Sequence, residues 1–442
     1  MIANVTQRSR YLRISKELFW ITLGQFASFL GSIVLVRVLT EQLDPSDYGE
    51  LALGLTIAAL VYQVVNGGIN NGIGRFYSIA VEKDDLDGYL RASFRMLLWA
   101  SLVVIGFTIV LMAVLILLEM KKWILLSLIV LIFSVLSSYN NALNALQNAA
   151  RQRIVVALHG GMNSWLKIAL AFCIMLWFGS SSISVVLGYT VAAFIVIISQ
   201  IFFLKRLIAK KNIFIQLRTG QKKENWVKQM WEFSWPFSAW GLFTWAQLVS
   251  DRWALEFFAT TAEVGKFAVL YQLGYATILM LSKLMMTLIG PILYERSGDA
   301  KNEARNLSVH QISWRITNVS LALSLVAFIF TYYLHDWLFS ILVAKPYQEV
   351  SQFLPWVVLA GGLFSTGQML SLKILSELRS SSLIAIKIVT AIVAVLINVL
   401  GAWLYGFLGV IVALVIFSLI YLIWMLIMAK GSLKTSHSAP KS

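Results

Sequence analysis

The sequence predicts an all-α, polytopic integral membrane protein with about twelve transmembrane helices, and three observations carry that prediction. Apolar residues make up 59% of the 442 positions and charged residues only 13%, about half the charged share of a typical soluble domain. Apolar stretches of about 18 residues or more recur along the whole chain, each long enough to cross a ~30 Å hydrocarbon core. Polar residues cluster between these stretches and do not form the polar stripes that a soluble helical protein needs.

The predicted spans follow one another with short connections. They lie at about 18–40, 50–75, 96–118, 123–148, 154–178, 183–205, 231–257, 265–290, 313–334, 351–372, 382–403 and 406–429. Leu18 to Leu39 is too long for the apolar core of a cleaved signal, and no small-residue cleavage site follows it, so we expect it to remain as the first span. The external loops are too short to hold a folded domain.

The positive charge of the chain follows its predicted topology. The net charge of +15 would by itself suggest a nucleic-acid partner. Most Lys and Arg, however, fall in segments that lie inside if the chain starts in the cytoplasm, and the predicted external loops hold only Lys121, Lys122 and Lys345. We therefore expect cytoplasmic N- and C-termini, basic segments that attract anionic lipid headgroups, and no nucleic-acid partner.

The longest basic segment divides the chain almost in half. Lys205 to Lys228 holds eight Lys and Arg, with six predicted spans on either side. The predicted organisation is an N-terminal six-helix lobe at 1–207, a basic cytoplasmic linker at 208–230, a C-terminal six-helix lobe at 231–430 and a disordered cytoplasmic tail at 431–442. Both lobes begin with the same orientation, which suggests parallel repeats, and a shift of 216 residues aligns Gly49 with Gly265. Two unrelated six-span bundles are the alternative.

Polar side chains inside four spans of the first half are the strongest indication of function. Each set recurs at helical spacing and so marks one face of its helix, which we expect to line a bundle interior or a wet cavity. The sets are Gln25, Ser28 and Ser32; Gln63, Asn66 and Asn70; Asn140, Asn144 and Asn148; and His159, Asn163 and Lys167. The plainer alternative is interhelical hydrogen bonding that only holds the bundle together. Four such faces favour a hydrated cavity.

Charged residues inside the spans are mostly cationic. Lys167 is the deepest, Lys283 is predicted to share a helix face with Gln272, and Arg75 ends the second span on its cytoplasmic side. Arg37 and Arg252 lie in outer halves of their spans. Snorkelling to the interface is sufficient to explain both of these arginines, and whether either lines the cavity is left open.

Two carboxylates lie near the outer end of the seventh span. Asp251 shares a helix face with Thr244 and Gln247, which makes it the candidate for coupling to H⁺ or Na⁺. Glu256 follows Arg252 by four residues, a spacing at which an ion pair is expected on one helix face.

Cationic walls and amide faces suit an anionic, sugar-bearing ligand. Lysine and arginine supply charge for phosphate, and amides offer donors and acceptors to hydroxyls. The predicted substrate-binding residues are Lys167, Lys283, Arg75, His159, Asn163, Asn66, Asn70, Asn140, Asn144 and Gln272. The single cysteine, Cys173, and the dispersed histidines predict no disulfide, no metal site and no cofactor.

Short motifs in both halves carry a resemblance to a known family. They are Arg37-Val-Leu-Thr, Asp47-Tyr-Gly-Glu, Gly67-Gly-Ile, Arg75-Phe-Tyr, Phe233-Ser-Trp-Pro236-Phe and Glu263-Val-Gly-Lys-Phe267. With these motifs the chain resembles polysaccharide or O-antigen flippases of the multidrug/oligosaccharidyl-lipid/polysaccharide exporter superfamily. The resemblance covers the whole chain in topology and implies two six-helix lobes that face each other in a V, as in MATE transporters, and open alternately to each side.

The same resemblance implies a substrate and a location. The substrate would be an undecaprenyl-diphosphate-linked oligosaccharide, and the location the bacterial cytoplasmic membrane. Basic cavity residues would hold the diphosphate, and Arg75 matches the family's motif position most closely.

Four hypotheses about function follow. The leading one is a flippase, acting as a monomer without catalytic residues, that moves a lipid-linked saccharide from the inner to the outer leaflet. The second is a multidrug antiporter of the same fold, which would need intramembrane carboxylates such as Asp251 and Glu256 to bind cationic drugs. The third is a membrane glycosyltransferase or polymerase, since Glu41, Asp44 and Asp47 form an acidic first loop. The fourth is a scaffold subunit whose polar faces are only interhelical contacts.

Overall fold

The computed structural model describes residues 2–210, 225–297, 303–376 and 380–431, and these residues form helices and short connections without a strand. The α-helices in these ranges are α1 Ile2–Gln42, α2 Pro45–Leu60, α3 Gly67–Glu82, α4 Leu86–Leu117, α5 Lys121–Ala149, α6 Arg153–Phe178, α7 Ser182–Lys210, α8 Trp226–Phe258, α9 Thr261–Tyr271, α10 Thr277–Ser297, α11 Glu303–Leu342, α12 Leu354–Ser376 and α13 Ser380–Gly431. A 3₁₀ helix, Lys345–Phe353, precedes α12. The all-α prediction is confirmed.

The predicted spans correspond to helices of the described chain. Ten helical segments are long and apolar enough to cross a membrane, and one of them, Ile386–Lys430, holds the last two predicted spans. The α8 helix is 33 residues long and matches the seventh predicted span, although five charged residues along it lower its hydropathy. When Ile386–Lys430 is counted as two spans and α8 is added, the described helices supply the twelve membrane-length segments that the sequence predicts.

The α13 helix turns back on itself between its two spans. Gly406 has φ 55° and ψ −129°, a backbone conformation that only glycine adopts without strain. On either side of this turn the two arms approach closely, since a Cβ atom built on Gly409 would lie 1.8 Å from the Gly401 carbonyl oxygen. The two glycines therefore allow a tight helical hairpin.

The described residues divide into two compact units. The first comprises Met1–Leu43 and Glu50–Trp245, and the second comprises Asp44–Gly49 and Ala246–Ser442. The division therefore runs through α2 and α8. Most of the predicted linker at 208–230, and all of the tail beyond residue 431, lie outside the described residues, so the lobe boundaries placed there stay predictions.

Each half carries a π-helical turn in its second span. Val61–Asn66 joins α2 to α3, and Gln272–Ala276 joins α9 to α10. In both turns a side chain bonds to the carbonyl five residues before it: Asn66 Nδ2 donates to Val61 at 3.3 Å, and Thr277 Oγ1 donates to Gln272 at 3.0 Å. An internal repeat would produce such a π turn at the same place in each half. The side chain that bonds to the carbonyl is an amide in the first half and a hydroxyl in the second.

The α3 and α8 helices of the first unit touch backbone to backbone. A Cβ atom on Gly68 would lie 2.4 Å from the Ser234 carbonyl oxygen, and one on Gly72 would lie 2.6 Å from the Ser234 hydroxyl. One turn apart, these glycines form the small-residue face that lets membrane helices approach closely. This contact holds the first part of α8 on the first unit.

Gly68→Ala should therefore lower the stability of the protein. The added methyl group meets backbone at Ser234 and cannot be relieved by a rotamer change, so we expect a cost of about 1–3 kcal/mol. Thermal unfolding of the detergent-solubilised protein measures it. Gly74→Ala is the matched control, because Gly74 lies in the same helix and a Cβ atom added there would meet no neighbouring atom within 4 Å. It should be neutral or raise the midpoint, since alanine favours the helix by roughly 0.5–1 kcal/mol. Equal behaviour of the two variants would contradict the close packing.

Candidate polar and cationic site

Helices α5, α6 and α7 of the first unit pack against one another and bring several predicted polar residues together. Gln200 Nε2 on α7 donates to Asn144 Oδ1 on α5 at 2.9 Å, and Gln147 Nε2 on α5 donates to the Gln200 carbonyl at 3.4 Å. Asn140 lies one turn before Asn144 on the same face of α5. We call these four residues, Asn140, Asn144, Gln147 and Gln200, the amide seam.

The amide seam contains buried side-chain oxygen atoms that accept no hydrogen bond from the described residues. Asn140, Gln147 and Gln200 are each at most 5% exposed. Within the described chain, no hydrogen-bond donor reaches Asn140 Oδ1, Gln147 Oε1 or Gln200 Oε1, and Asn163 Oδ1 on α6 is in the same situation. Buried polar atoms are normally satisfied by protein or ordered water. These oxygens are therefore suited to bind a molecule that carries hydrogen-bond donors, such as water or a hydroxyl group.

Lys167 lies on α6 between two aromatic rings. Its Nζ is 5.1 Å from the Phe133 ring centroid and 5.4 Å from that of Tyr189. At ~1.5 Å per residue it lies about 21 Å from the first residue of α6, slightly past the middle of this 26-residue helix. Ring faces attract a cation without using its N–H donors. The ammonium group therefore keeps those donors for an anion.

His159 has a different environment from the one the sequence suggested. It is fully buried, its Nδ1 lies 2.7 Å from the Val155 carbonyl oxygen, and its Nε2 lies 3.0 Å from Ser199 Oγ on α7. A neutral imidazole that donates from Nδ1 and accepts at Nε2 satisfies both contacts. His159 thus positions α6 against α7 and offers no free nitrogen to a ligand.

Polar residues of the first two spans have varied roles. Ser28 and Ser32 donate to carbonyls of their own helix, as the plainer alternative expects. Asn66 caps the first π turn. Asn70 is 9% exposed, and both of its side-chain polar atoms lack a partner in the described structure. Arg75 is exposed near the middle of α3, which continues to Glu82, so the prediction that Arg75 ends the second span is wrong. Asn70 is therefore a buried residue of these two spans with unused hydrogen-bonding capacity.

The second unit holds the remaining predicted residues. Lys283 on α10 is exposed, and Gln272, at the start of the second π turn, is half-buried. Asp251 on α8 is 2% exposed, and its Oδ1 accepts the Arg252 backbone N–H at 2.7 Å. The expectation that Lys283 and Lys167 share one cavity stays a prediction.

The expected pair between Arg252 and Glu256 is wrong. Glu256 Oε1 accepts from the Thr261 hydroxyl at 3.0 Å, across the connection from α8 to α9. The Arg252 guanidinium instead lies over the Tyr271 ring, 4.6 Å from its centroid. Glu256 is therefore bound to the Thr261 hydroxyl at the start of α9 and not to Arg252, a contact that helix spacing alone does not predict.

The sequence analysis missed one buried polar residue in each unit, Gln200 in the first and Lys373 in the second. Gln200 belongs to a Ser-Gln pair in an otherwise apolar span, and that pair was the available signal. Lys373 is fully buried, and its Nζ donates to the Ala429 carbonyl at 2.5 Å. Because Lys373 lies one residue beyond the predicted end of its span, nothing in the sequence marked it as buried. Its contact near the end of α13 stabilises the helix terminus.

Comparison with known proteins gives a family and a fold. A model of the polysaccharide biosynthesis protein family matches residues 14–295. No curated protein sequence matches the chain. An inward-facing multidrug resistance MATE family transporter of the MOP superfamily is 15% identical, with a TM-score of 0.65, and the alignment covers 94% of this chain and 96% of that one.

Two further solved structures share the fold. A mutant of the Vibrio cholerae MATE transporter VcmN is 15% identical with a TM-score of 0.63, covering 96% of this chain and 98% of that one. A MOP superfamily transporter from Pyrococcus furiosus is 14% identical with a TM-score of 0.60, covering 95% of each chain. The resemblance drawn from the short motifs is confirmed: the chain belongs to the polysaccharide biosynthesis protein family and has the fold of the MATE transporters.

Proposed function

We propose that the protein is a flippase that moves an undecaprenyl-diphosphate-linked oligosaccharide, such as an O-antigen repeat unit, across the bacterial cytoplasmic membrane. The saccharide crosses from the inner to the outer leaflet by alternating access, with both protein termini in the cytoplasm. The lipid tail stays in the bilayer while the diphosphate and sugars use a polar path. The protein acts as a monomer and performs no chemical step.

The observation that carries this proposal is the position of Lys167. A cation midway along a membrane-spanning helix is costly, and here it rests on Phe133 and Tyr189 instead of a carboxylate. Its charge is therefore not neutralised and is available to phosphate. The unpaired oxygens of Asn163 and the amide seam, on helices packed around the same α6, supply acceptors for sugar hydroxyls.

The membrane potential supports the proposed direction. An inside-negative potential repels negative charge, so moving one negative charge outward releases ~2.3 kcal/mol per 100 mV. A diphosphate-linked substrate therefore gains free energy from outward movement when no counter-ion accompanies it.

Lys167→Met should reduce translocation about tenfold to a hundredfold. Methionine keeps the length of the side chain and its contacts with the two rings. It loses the charge-assisted hydrogen bond to phosphate, which is worth about 1.5–3 kcal/mol. The measurement is translocation of a lipid-linked oligosaccharide in proteoliposomes, together with surface polysaccharide in cells where the variant replaces the chromosomal copy. Lys167→Arg should retain most activity.

Lys205→Met is the matched control, because Lys205 is exposed near the cytoplasmic end of α7 and away from the rings. It should leave translocation unchanged at equal expression. The double variant Lys167→Ala with Lys283→Ala should abolish translocation if both lysines serve the substrate. Normal surface polysaccharide in that double variant would refute the cationic path.

Asp251 is proposed to couple transport to H⁺ or Na⁺ entry. Its neighbour Ser250 accepts a hydrogen bond from Asn398 Nδ2 at 2.8 Å, and Asn398 Oδ1 is buried with no donor among the described residues. A buried carboxylate suits a proton or a small cation. Asp251→Asn should remove any dependence of translocation on an imposed pH or sodium gradient. Unchanged gradient dependence in that variant would exclude this role.

A multidrug antiporter is the second candidate function, and the likeness in fold to MATE transporters is the observation that favours it. Cationic drugs need carboxylates inside the membrane. The charge that we place near the middle of the first unit, on Lys167, is instead positive. Expression of the protein in a drug-sensitive host tests this candidate, because a drug exporter raises resistance and a saccharide flippase does not.

A glycosyltransferase is less consistent with the contacts of the acidic loop. Glu41 pairs with Arg37 at 2.5 Å, and Asp44 accepts the Asp47 N–H at 2.8 Å, directly before Pro45 opens α2. These are the ion pair and the N-terminal cap of ordinary helices.

A further inference from the structure

Arg252 does not extend toward the membrane surface. It lies six residues before the end of α8, about 9 Å along the helix axis, and its side chain is only 15% exposed. Its guanidinium carbon lies 4.6 Å from the centroid of the Tyr271 ring on α9. A snorkelling arginine would place its charged group in water. This one instead packs against an aromatic surface of the second unit.

Most of the hydrogen-bonding capacity of Arg252 is unused. Its Nη1 donates to the Leu248 carbonyl of its own helix at 3.0 Å. Asp251 Oδ1 lies 3.7 Å from Nη1, beyond hydrogen-bond distance, and accepts the Arg252 backbone N–H instead. A guanidinium carries five N–H donors in a planar fork, so most of them have no acceptor among the described residues. That fork matches two oxygens of a phosphate.

Close helix packing builds the surroundings of Arg252. A Cβ atom on Gly49 would lie 1.9 Å from the Thr261 carbonyl oxygen, and one on Gly265 would lie 1.9 Å from the Pro45 carbonyl oxygen. These contacts bring the first turn of α2 onto α9. Tyr48, which precedes Gly49, packs edge-on against Tyr347, with their ring centroids 5.8 Å apart. Every residue of this environment belongs to the second unit.

We infer that Arg252, lying on Tyr271, is a second phosphate-binding group, which contacts the diphosphate in the predicted outer half of the membrane. The inference rests on the proposed function and adds a subsite to it. Arg252 holds the phosphate near the predicted outer end of its own span, on the side of release. Asp251 opposes anion binding at Arg252 by like-charge repulsion and thereby keeps this subsite weak enough for release.

The test uses purified protein in nanodiscs of phosphatidylcholine, which carries no net charge, with inorganic pyrophosphate as the probe. The background variant is Lys167→Met, so that binding at Lys167 does not contribute. In this background, Arg252→Met should weaken pyrophosphate binding at least tenfold at fixed ionic strength. Arg252→Lys should weaken it less, because it keeps the charge and loses the fork. Unchanged binding in Arg252→Met would overturn the inference.

Arg37→Met is the matched control. Arg37 lies at the corresponding place near the outer end of the first span, but its side chain is 38% exposed and pairs with Glu41. Its removal should leave pyrophosphate affinity unchanged. An equal loss in Arg37→Met and Arg252→Met would show a general effect of surface charge and would overturn the subsite.

Asp251→Asn gives a result of opposite sign and leaves Arg252 in place. Removing the neighbouring negative charge should tighten pyrophosphate binding severalfold. If Arg252 only served as a structural partner of Asp251, affinity would stay the same or fall, and either result would overturn the inference. The Asp251→Asn measurement also tests the phosphate-binding role of Arg252 if Arg252→Met does not fold.

The inference and the proposed function fail in distinguishable ways. Pyrophosphate binding that depends on Arg252 and Asp251 as described, together with normal polysaccharide export by cells that lack the protein, would leave an anion subsite and refute the flippase. Loss of export in Lys167→Met cells, together with pyrophosphate affinity that Arg252→Met leaves unchanged, would support the flippase and refute the subsite.

Discussion

A cationic side chain rests against an aromatic ring in each of the two units, and the proposed function depends on this contact. A charged side chain at the centre of a bilayer costs about 2.5–3.5 kcal/mol on insertion scales. A carboxylate partner would offset that cost but would also consume the charge. Lys167 rests on Phe133 and Tyr189. Arg252 rests on Tyr271, with the Asp251 carboxylate 3.7 Å from its Nη1, beyond hydrogen-bond distance. Ring faces offset part of the cost and leave the N–H groups able to bind an anion.

Two other buried basic residues, Lys373 and His159, differ from Lys167 in their hydrogen-bond partners. Lys373 is fully buried, but its ammonium group donates to the Ala429 carbonyl and so is committed to a helix terminus. His159 has both ring nitrogens engaged by Val155 and Ser199. Both residues are fully buried, yet their polar atoms are already used. Burial of a basic residue in this chain therefore does not show that its N–H groups are available to a ligand.

Glycine contacts determine how closely neighbouring helices approach within each unit. Gly68 and Gly72 admit α8 to backbone contact with α3, and Gly49 and Gly265 do the same for α2 and α9. The π turns add a residue to the second span of each half and redirect the side chains that follow. A helix interface built on backbone contact is sensitive to a single methyl group. The positions of the polar side chains near it are therefore well defined.

The sequence by itself determined the all-α class, the twelve spans to within a few residues for most helix ends, and the polar faces of α5 and α6. It could do so because hydropathy over 18 residues and helical spacing are local properties. Pairing across helices was decided by the tertiary structure, which joined Gln200 to Asn144, engaged His159 and placed Lys167 between rings. Arg252 is the clearest example, since its spacing from Glu256 predicted an ion pair. The fold placed Thr261 beside that carboxylate and Tyr271 beside the guanidinium, because α9 returns along α8, and no local pattern records which side chains meet there.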